Sequence, residues 1–169
     1  MAEAFDTIVR EYQHRIFRLA YAILGERPAA EEVSQDVLLR VWKGLPGFRA
    51  ESSISTWIYS ITRNACLTVL KRRSDPPISL DSPEALRAVD KRAGADWATK
   101  ETWKAQELLR RVPAKYRTVV ALFYMQEKSY DEVSEMLGLP VGTVKTYLFR
   151  ARVILAKALA HDRVGRGRA

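Results

Sequence analysis

The sequence predicts an all-α protein: two small helical domains joined by a flexible linker, the second containing a helix-turn-helix. Three observations carry this expectation. Apolar residues recur at three- and four-residue steps in each long segment, and strand-like alternation is absent. Residues 74–96 break that pattern with Pro76, Pro77, Pro83 and Gly94 set among Asp75, Asp81 and Asp90, a linker composition. Residues 129–161 join a helix-capping pair, a glycine turn and a basic second helix.

In chain order, residues 3–24 set Phe5, Ile8, Val9, Tyr12, Ile16, Ala20 and Ile23 on one helical face, and Gly25 ends the helix. Pro28 opens a second helix, where its missing N–H costs nothing. Val33, Val37 and Val41, with Leu38 and Trp42, form its expected buried stripe. Gly44, Pro46, Gly47, Ser52 and Ser53 make residues 44–53 a loop. A third helix is expected over 54–72 with Ile54, Ile58, Ile61, Ala65 and Val69 inward. The first domain is therefore placed at 1–73, the linker at 74–96 with a short helical piece near 84–92, and the second domain at 97–169. That second domain starts with a helix over 97–111, stopped by Pro113, and another over 114–127 in which Val119, Val120, Leu122 and Phe123 are apolar.

Ser129 begins the next helix, and Glu132 stands three residues on, so each side chain can satisfy an unpaired backbone N–H of the first turn. Val133, Met136 and Leu137 face inward, Gly138 suits a left-handed helix end, and Leu139-Pro140 turns the chain. The following helix, over 141–161, buries Val144, Leu148, Ala151 and Leu155. Lys145, Thr146, Phe149 and Arg150 lie outward, where lysine or arginine can donate to guanine and phenylalanine can meet a thymine methyl. Arg152 and Lys157 suit phosphates, which position a protein without reading sequence. A helical hairpin with a solvated basic face is the plainer reading of the same residues. The tail from Asp162 to Ala169 carries no readable motif and is expected to be a disordered basic end.

The net charge of +8 is unevenly spread. Residues 51–73 hold four basic side chains and one acidic, and residues 141–169 hold seven and one, while the remainder nearly balances. Two basic segments suit two contacts on a polyanion such as nucleic acid, and they equally suit solvated helix faces. No apolar run approaches the roughly 20 residues of a membrane span, and the N-terminus lacks the basic-then-apolar pattern of a secretory signal. Cys66, the only cysteine, excludes an internal disulfide and reads as a small core residue. His14 and His161 are far apart, and neither a phosphate-binding glycine loop nor an HExxH metal motif occurs, so no catalytic residue, metal or cofactor is expected.

Three segments carry a family resemblance. "AAEEVSQDVLLRVWKGL" (29–45) is similar to the core-polymerase-binding segment of the extracytoplasmic-function sigma factors, the group 4 members of the bacterial primary-sigma superfamily. "FRAESSISTWIYSITRNACLTVLKRR" (48–73) resembles the segment that opens and reads the −10 promoter element, and residues 109–159 resemble the −35-reading domain. The matches cover most of the chain in the family's order. This resemblance implies a cytoplasmic, non-enzymatic factor that binds core RNA polymerase and directs promoter-specific initiation. Glu32, Gln35 and Asp36 would bind the clamp helices of the polymerase's largest subunit. Phe48, Arg49, Glu51, Ser52 and Ser53 would hold a flipped −10 base, with Trp57, Tyr59, Arg63 and Asn64 along the melted strand. Trp57 reads equally well as core, beside Ile54, Ile58 and Ile61. Lys145, Thr146, Phe149, Arg150 and Arg152 would read or clamp −35 duplex. Partners implied are core polymerase, promoter DNA in duplex and melted form, and an anti-sigma factor, without membrane insertion. The sequence departs from the family at Ser34, where an apolar residue is usual, and in residues 123–127, which lack an arginine often found there. A stand-alone helix-turn-helix regulator would explain 129–158 but not 29–73.

Overall fold

The computed structural model describes residues 1–73 and 100–166. The linker expected at 74–96, its short helical piece, and residues 97–99 and 167–169 lie outside the described residues. All regular structure among the described residues is helical. An N-terminal unit comprises α1 (Ala2–Leu24), α2 (Arg27–Gly44) and α3 (Ile54–Arg73). A C-terminal unit comprises α4 (Lys100–Arg110), α5 (Ala114–Val120), α6 (Tyr130–Leu137) and α7 (Val141–Arg166).

Local chemistry sets the ends of these helices. Gly25 sits at φ 73, a left-handed conformation open to a residue without Cβ, and its N–H donates to Tyr21 O. Pro28 occupies the first turn of α2. A 3₁₀ turn, Leu45–Gly47, leads α2 into the loop at 48–53. Ser34 is buried, and its hydroxyl donates to Ala30 O at 2.6 Å, so a polar residue in an apolar row is internally satisfied.

The N-terminal core joins Ile16, Leu19 and Ile23 of α1 to Val37 and Val41 of α2 and Ile58 of α3. The C-terminal core joins Val119 and Leu122 to Val133 of α6 and Val144, Leu148 and Ala151 of α7. The two units also pack on one another. Leu19 to Leu24 are six successive buried residues, and a helix end apolar all round must be enclosed on all sides. Gln106 Nε2 donates to Tyr21 O and Arg110 NH2 to Gly25 O, each at 2.8 Å, so α4 satisfies carbonyls at the end of α1.

The structure corrects the expected pattern in four places. Trp42 belongs to no buried stripe: it is 40% exposed and meets Phe5 edge-on at 4.8 Å. On α3, Ile54, Ile61 and Val69 are only half-buried, whereas Ser55, Thr56, Tyr59, Thr62 and Cys66 are buried. A second burying surface causes this, because α6 packs on α3. The helix expected over 114–127 is α-helical only to Val120 and widens into a π-helical turn, Ala121–Met125. The tail is not irregular through its length, since α7 continues to Arg166. Cys66 matches the core reading: burial pushes its thiol up to about 12.

Candidate nucleic-acid interface

The helix-turn-helix is built as its chemistry dictates. Ser129 Oγ accepts from Glu132 N at 3.1 Å, while Ser129 N donates to Glu132 Oε2 at 2.8 Å. That backbone hydrogen bond holds the Glu132 carboxyl below the usual carboxylate range. Gly138, at φ 63, ends α6, and Thr143 N and Val144 N take Pro140 O to start α7. Val144, Leu148 and Ala151 seat α7, leaving Lys145, Thr146, Phe149, Arg150 and Arg152 exposed. Phe149 is 65% exposed, and Val153, one turn on, is also exposed. An unpartnered aromatic in the middle of a basic face is poorly explained by solvation and well suited to a thymine methyl.

The basic side chains flanking Phe149 are held by aromatic residues that sequence reasoning did not select. Lys145 Nζ lies 5.4 Å from the Tyr130 ring centre. Arg152 Nε donates to Tyr124 OH at 2.7 Å, and its guanidinium stands over that ring, while Arg150 NH1 donates to Tyr116 OH at 3.0 Å. These tyrosines fix long side chains that otherwise lose rotamer freedom on binding. The available signal was the recurrence of tyrosine at 116, 124 and 130 ahead of a basic helix.

The second constellation is the loop after α2. Gly47, Phe48, Arg49, Glu51, Ser52 and Trp57 line an open pocket of about 220 Å³, smaller than the roughly 300–1,000 Å³ typical of drug-sized ligands. Phe48 and Trp57 rings lie 5.0 Å apart, and Arg49, Glu51 and Ser52 line the same pocket, a set suited to a single flat base with polar edges. Ala50 lies at φ 55, a left-handed conformation disfavoured for a residue with Cβ, so the loop holds local strain where the pocket opens.

Not all residues assigned to this site line the pocket. Ser53 is used structurally: its Oγ accepts from Thr56 N at 3.1 Å, capping α3, and it bonds Ser55 and Thr56 hydroxyls. Asn64 is exposed on α3 and accepts from Arg63 NH1 at 3.0 Å, and desolvation lowers the Arg63 pKa below its usual value. Tyr59 is 1% exposed, packs edge-on to Tyr12, and donates to Gln126 Oε1 at 2.8 Å, so in this arrangement the C-terminal unit covers it. Trp57 is half-buried, with one edge against Gly44 and the other in the pocket. A Cβ on Gly44 would stand 2.9 Å from Trp57 Cζ2. Gly44→Ala is therefore expected to push Trp57 out of place, destabilising the protein by about 1–3 kcal/mol. It should weaken binding of single-stranded DNA far more than binding of duplex DNA, which paired fluorescence titrations of the two DNAs would read.

The outward face of α2 forms a third surface. Glu32 and Gln35 are exposed, and Asp36 is half-exposed and paired with Arg40 at 2.8 Å. Leu39, missed from sequence, extends that strip and is 58% exposed, with Trp42 at its end. Its signal was an apolar residue on the far side of the Val37–Val41 stripe. No described helix is long and apolar enough to cross a membrane, and no cluster of metal-binding side chains occurs among the described residues.

Comparison with known proteins places these surfaces in context. The family model for Sigma-70 region 2 matches residues 8–75, and that for Sigma-70, region 4 matches residues 103–155. The chain is 32% identical to the ECF RNA polymerase sigma factor SigW of Bacillus subtilis, over 93% of this chain and 89% of that protein. It is 31% identical to SigM of Mycobacterium tuberculosis, over 96% and 80% respectively. Two solved structures share the fold. One is the sigma factor RpoE of Bartonella quintana in complex with the anti-sigma factor NepR (TM-score 0.74, 19% identity, 94% of this chain and 98% of that one). The other is CnrH in complex with the cytosolic domain of CnrY (TM-score 0.72, 21% identity, 96% and 91%).

Proposed function

The chain belongs to the extracytoplasmic-function sigma factors of bacterial RNA polymerase and serves promoter-specific transcription, and on that premise we propose how its three surfaces divide the work. Residues 1–73 bind core polymerase and read the −10 element. Residues 97–169 read the −35 element, and residues 74–96 join the two. The outward strip of α2, Glu32, Gln35 and Asp36 extended by Leu39, docks on the clamp helices of the largest subunit. The α7 face of Lys145, Thr146, Phe149 and Arg150 enters a major groove, with Arg152 on phosphate. The pocket of Phe48, Arg49, Glu51, Ser52 and Trp57 takes one extruded −10 base.

The observation that carries this reading is the coexistence, on separate units of one chain, of a capped helix-turn-helix and a base-sized aromatic pocket. A duplex-only regulator has no use for the second. Holding a base out of the stack stabilises the melted state by roughly 1–3 kcal/mol per stacked base, so capture assists melting without an enzymatic step. The protein acts in the cytoplasm with polymerase. A sigma factor of this fold has been solved with an anti-sigma factor bound, which supports a partner of that class here.

The test is titration of fluorescently labelled protein with core polymerase, without DNA, followed by anisotropy. Saturable binding that weakens at least tenfold when Glu32, Gln35 and Asp36 are replaced together by alanine is the expected result. Absence of binding by folded protein to active core would replace this reading with that of a stand-alone DNA-binding regulator.

A further inference from the structure

A second cleft, between α1 and α2, shares no residue with the three surfaces described above. His14, Phe17 and Arg18 of α1 and Arg27 and Glu31 of α2 line a cavity of about 450 Å³. Helical spacing brings them together. His14 and Arg18 stand one turn apart, as do Arg27 and Glu31, so each helix presents its pair on one face. A two-residue turn, Gly25 and Glu26, folds α2 back onto α1. Arg27 Nε donates to Glu31 Oε1 at 2.8 Å, so the single carboxylate of the cleft is matched by a single cation. The charge of Arg18 remains in excess, and the exposed His14 beside it adds ring nitrogens that donate or accept hydrogen bonds.

The aromatic residue of the cleft is held in place. Phe17 is half-buried, and its ring runs nearly parallel to that of Tyr21, with 5.9 Å between centres and 8° between planes. A flat apolar side chain beside guanidinium and imidazole groups matches a ligand that joins a planar ring to an anion: the ring stacks and the anion meets the cations. Size separates this cleft from the loop pocket. The loop pocket, at about 220 Å³, suits a base alone. A cavity of about 450 Å³ falls within the roughly 300–1,000 Å³ usual for small-molecule sites and leaves room for a sugar and phosphates as well. An ordinary solvated helix face accounts for each charge singly, but not for an ordered ring set among them in a concave surface.

We propose that this cleft is a binding site for a free nucleoside phosphate, with the base against Phe17, the phosphates on Arg18 and His14, and the sugar toward Glu31. Arginine suits the phosphate end because its planar fork donates two parallel hydrogen bonds to one phosphate group. The Glu31 carboxylate accepts from sugar hydroxyls, and Arg27 offsets its charge so that it does not repel the phosphates. The site is independent of promoter reading and of polymerase docking. It adds a small anionic ligand to a chain whose other surfaces take macromolecules.

The experiment is titration of the full, isotope-labelled chain with adenosine triphosphate and guanosine triphosphate in turn, followed by amide chemical shifts, with inorganic triphosphate as the probe that lacks a base. Saturating shifts centred on residues 14–18 and 27–31 are the expected result, with inorganic triphosphate binding several-fold more weakly than at least one of the nucleotides. Arg18→Ala, a change at an exposed position, should weaken nucleotide binding about tenfold, the loss expected of one charge-assisted hydrogen bond. Arg18→Lys, which keeps the charge but not the fork, should recover only part of it. Phe17→Leu should lower affinity for the nucleotide and leave that for inorganic triphosphate as it was. No shifts at several millimolar nucleotide, shifts that fall on residues 47–57 or on α7 instead, or parental affinity in Arg18→Ala would overturn the site. Equal affinity for nucleotide and inorganic triphosphate would overturn the nucleoside and leave an anion site alone.

Discussion

Leu39→Arg should weaken binding to core polymerase by about thirtyfold or more while leaving the melting temperature almost unchanged. Two facts combine in this expectation. Leu39 is 58% exposed, so replacing it leaves no cavity in the protein, and exposed substitutions of this kind usually cost within about 0.5 kcal/mol. It also stands among Glu32, Gln35 and Asp36 as the apolar member of a polar strip, the position from which a desolvated anchor works. Truncating such an anchor typically costs about 2 kcal/mol or more, which is close to thirtyfold in affinity. The arginine adds a buried charge that the partner has no reason to match. Anisotropy with core polymerase reads the affinity, and a thermal melt reads the fold. A variant that melts normally and binds as the parent does would place the docking surface elsewhere on the N-terminal unit.

The parts of this molecule legible in the sequence are those decided locally. Gly25 and Gly138 end helices because the left-handed conformation favours glycine, and Ser129 with Glu132 starts one because the two side chains answer two backbone donors. The stripes Val33, Val37, Val41 and Val144, Leu148, Ala151 follow from helical spacing alone. What was hidden depends on a second surface arriving from far along the chain. Ser55 and Tyr59 make an unremarkable mixed face until Lys128 and Gln126 bond them, and Thr62 can be buried only because its hydroxyl returns to Ile58 O at 2.9 Å. Trp42 looks like core by composition, yet the inward row is filled by Val41 and Val37, and the indole is left at the edge with Phe5. The π-helical turn has no sequence signature that would separate it from continued α-helix, since Ala121, Leu122 and Phe123 are acceptable in both.

The same distinction governs the candidate site. The outward face of α7 was readable because its inward stripe defines it. The pocket loop was readable by resemblance, but the division of labour within it was not. Ser53 turns from the pocket to cap α3, while Gly44, three residues before Gly47, proves to matter through the edge of Trp57 rather than through backbone freedom.

Arg117→Met should stabilise the protein, by about 1–4 kcal/mol, the range seen when buried ionic groups give way to apolar side chains of similar size. Arg117 of α5 is 5% exposed, and its Nε has no hydrogen-bond partner among the described residues. Burial, with the like charge of Arg110 nearby, lowers its pKa from the ordinary guanidinium range to about 10. For a base, a depressed value means that the charged form is penalised in the folded state. That penalty is present in full at every pH below about 10 and is relieved only as the pH rises toward the ordinary value. At neutral pH the guanidinium remains charged, so the fold carries the whole cost. Methionine keeps an unbranched, flexible stem of similar reach and removes the charge and the unsatisfied donor together. For a chain of this size each kcal/mol corresponds to roughly 2–4 °C, so the melting temperature should rise by several degrees. Lysine at the same position should not reproduce the gain, because it retains a buried cation. A fall in melting temperature for Arg117→Met would mean that Arg117 holds the helices around it together through contacts that outweigh its desolvation.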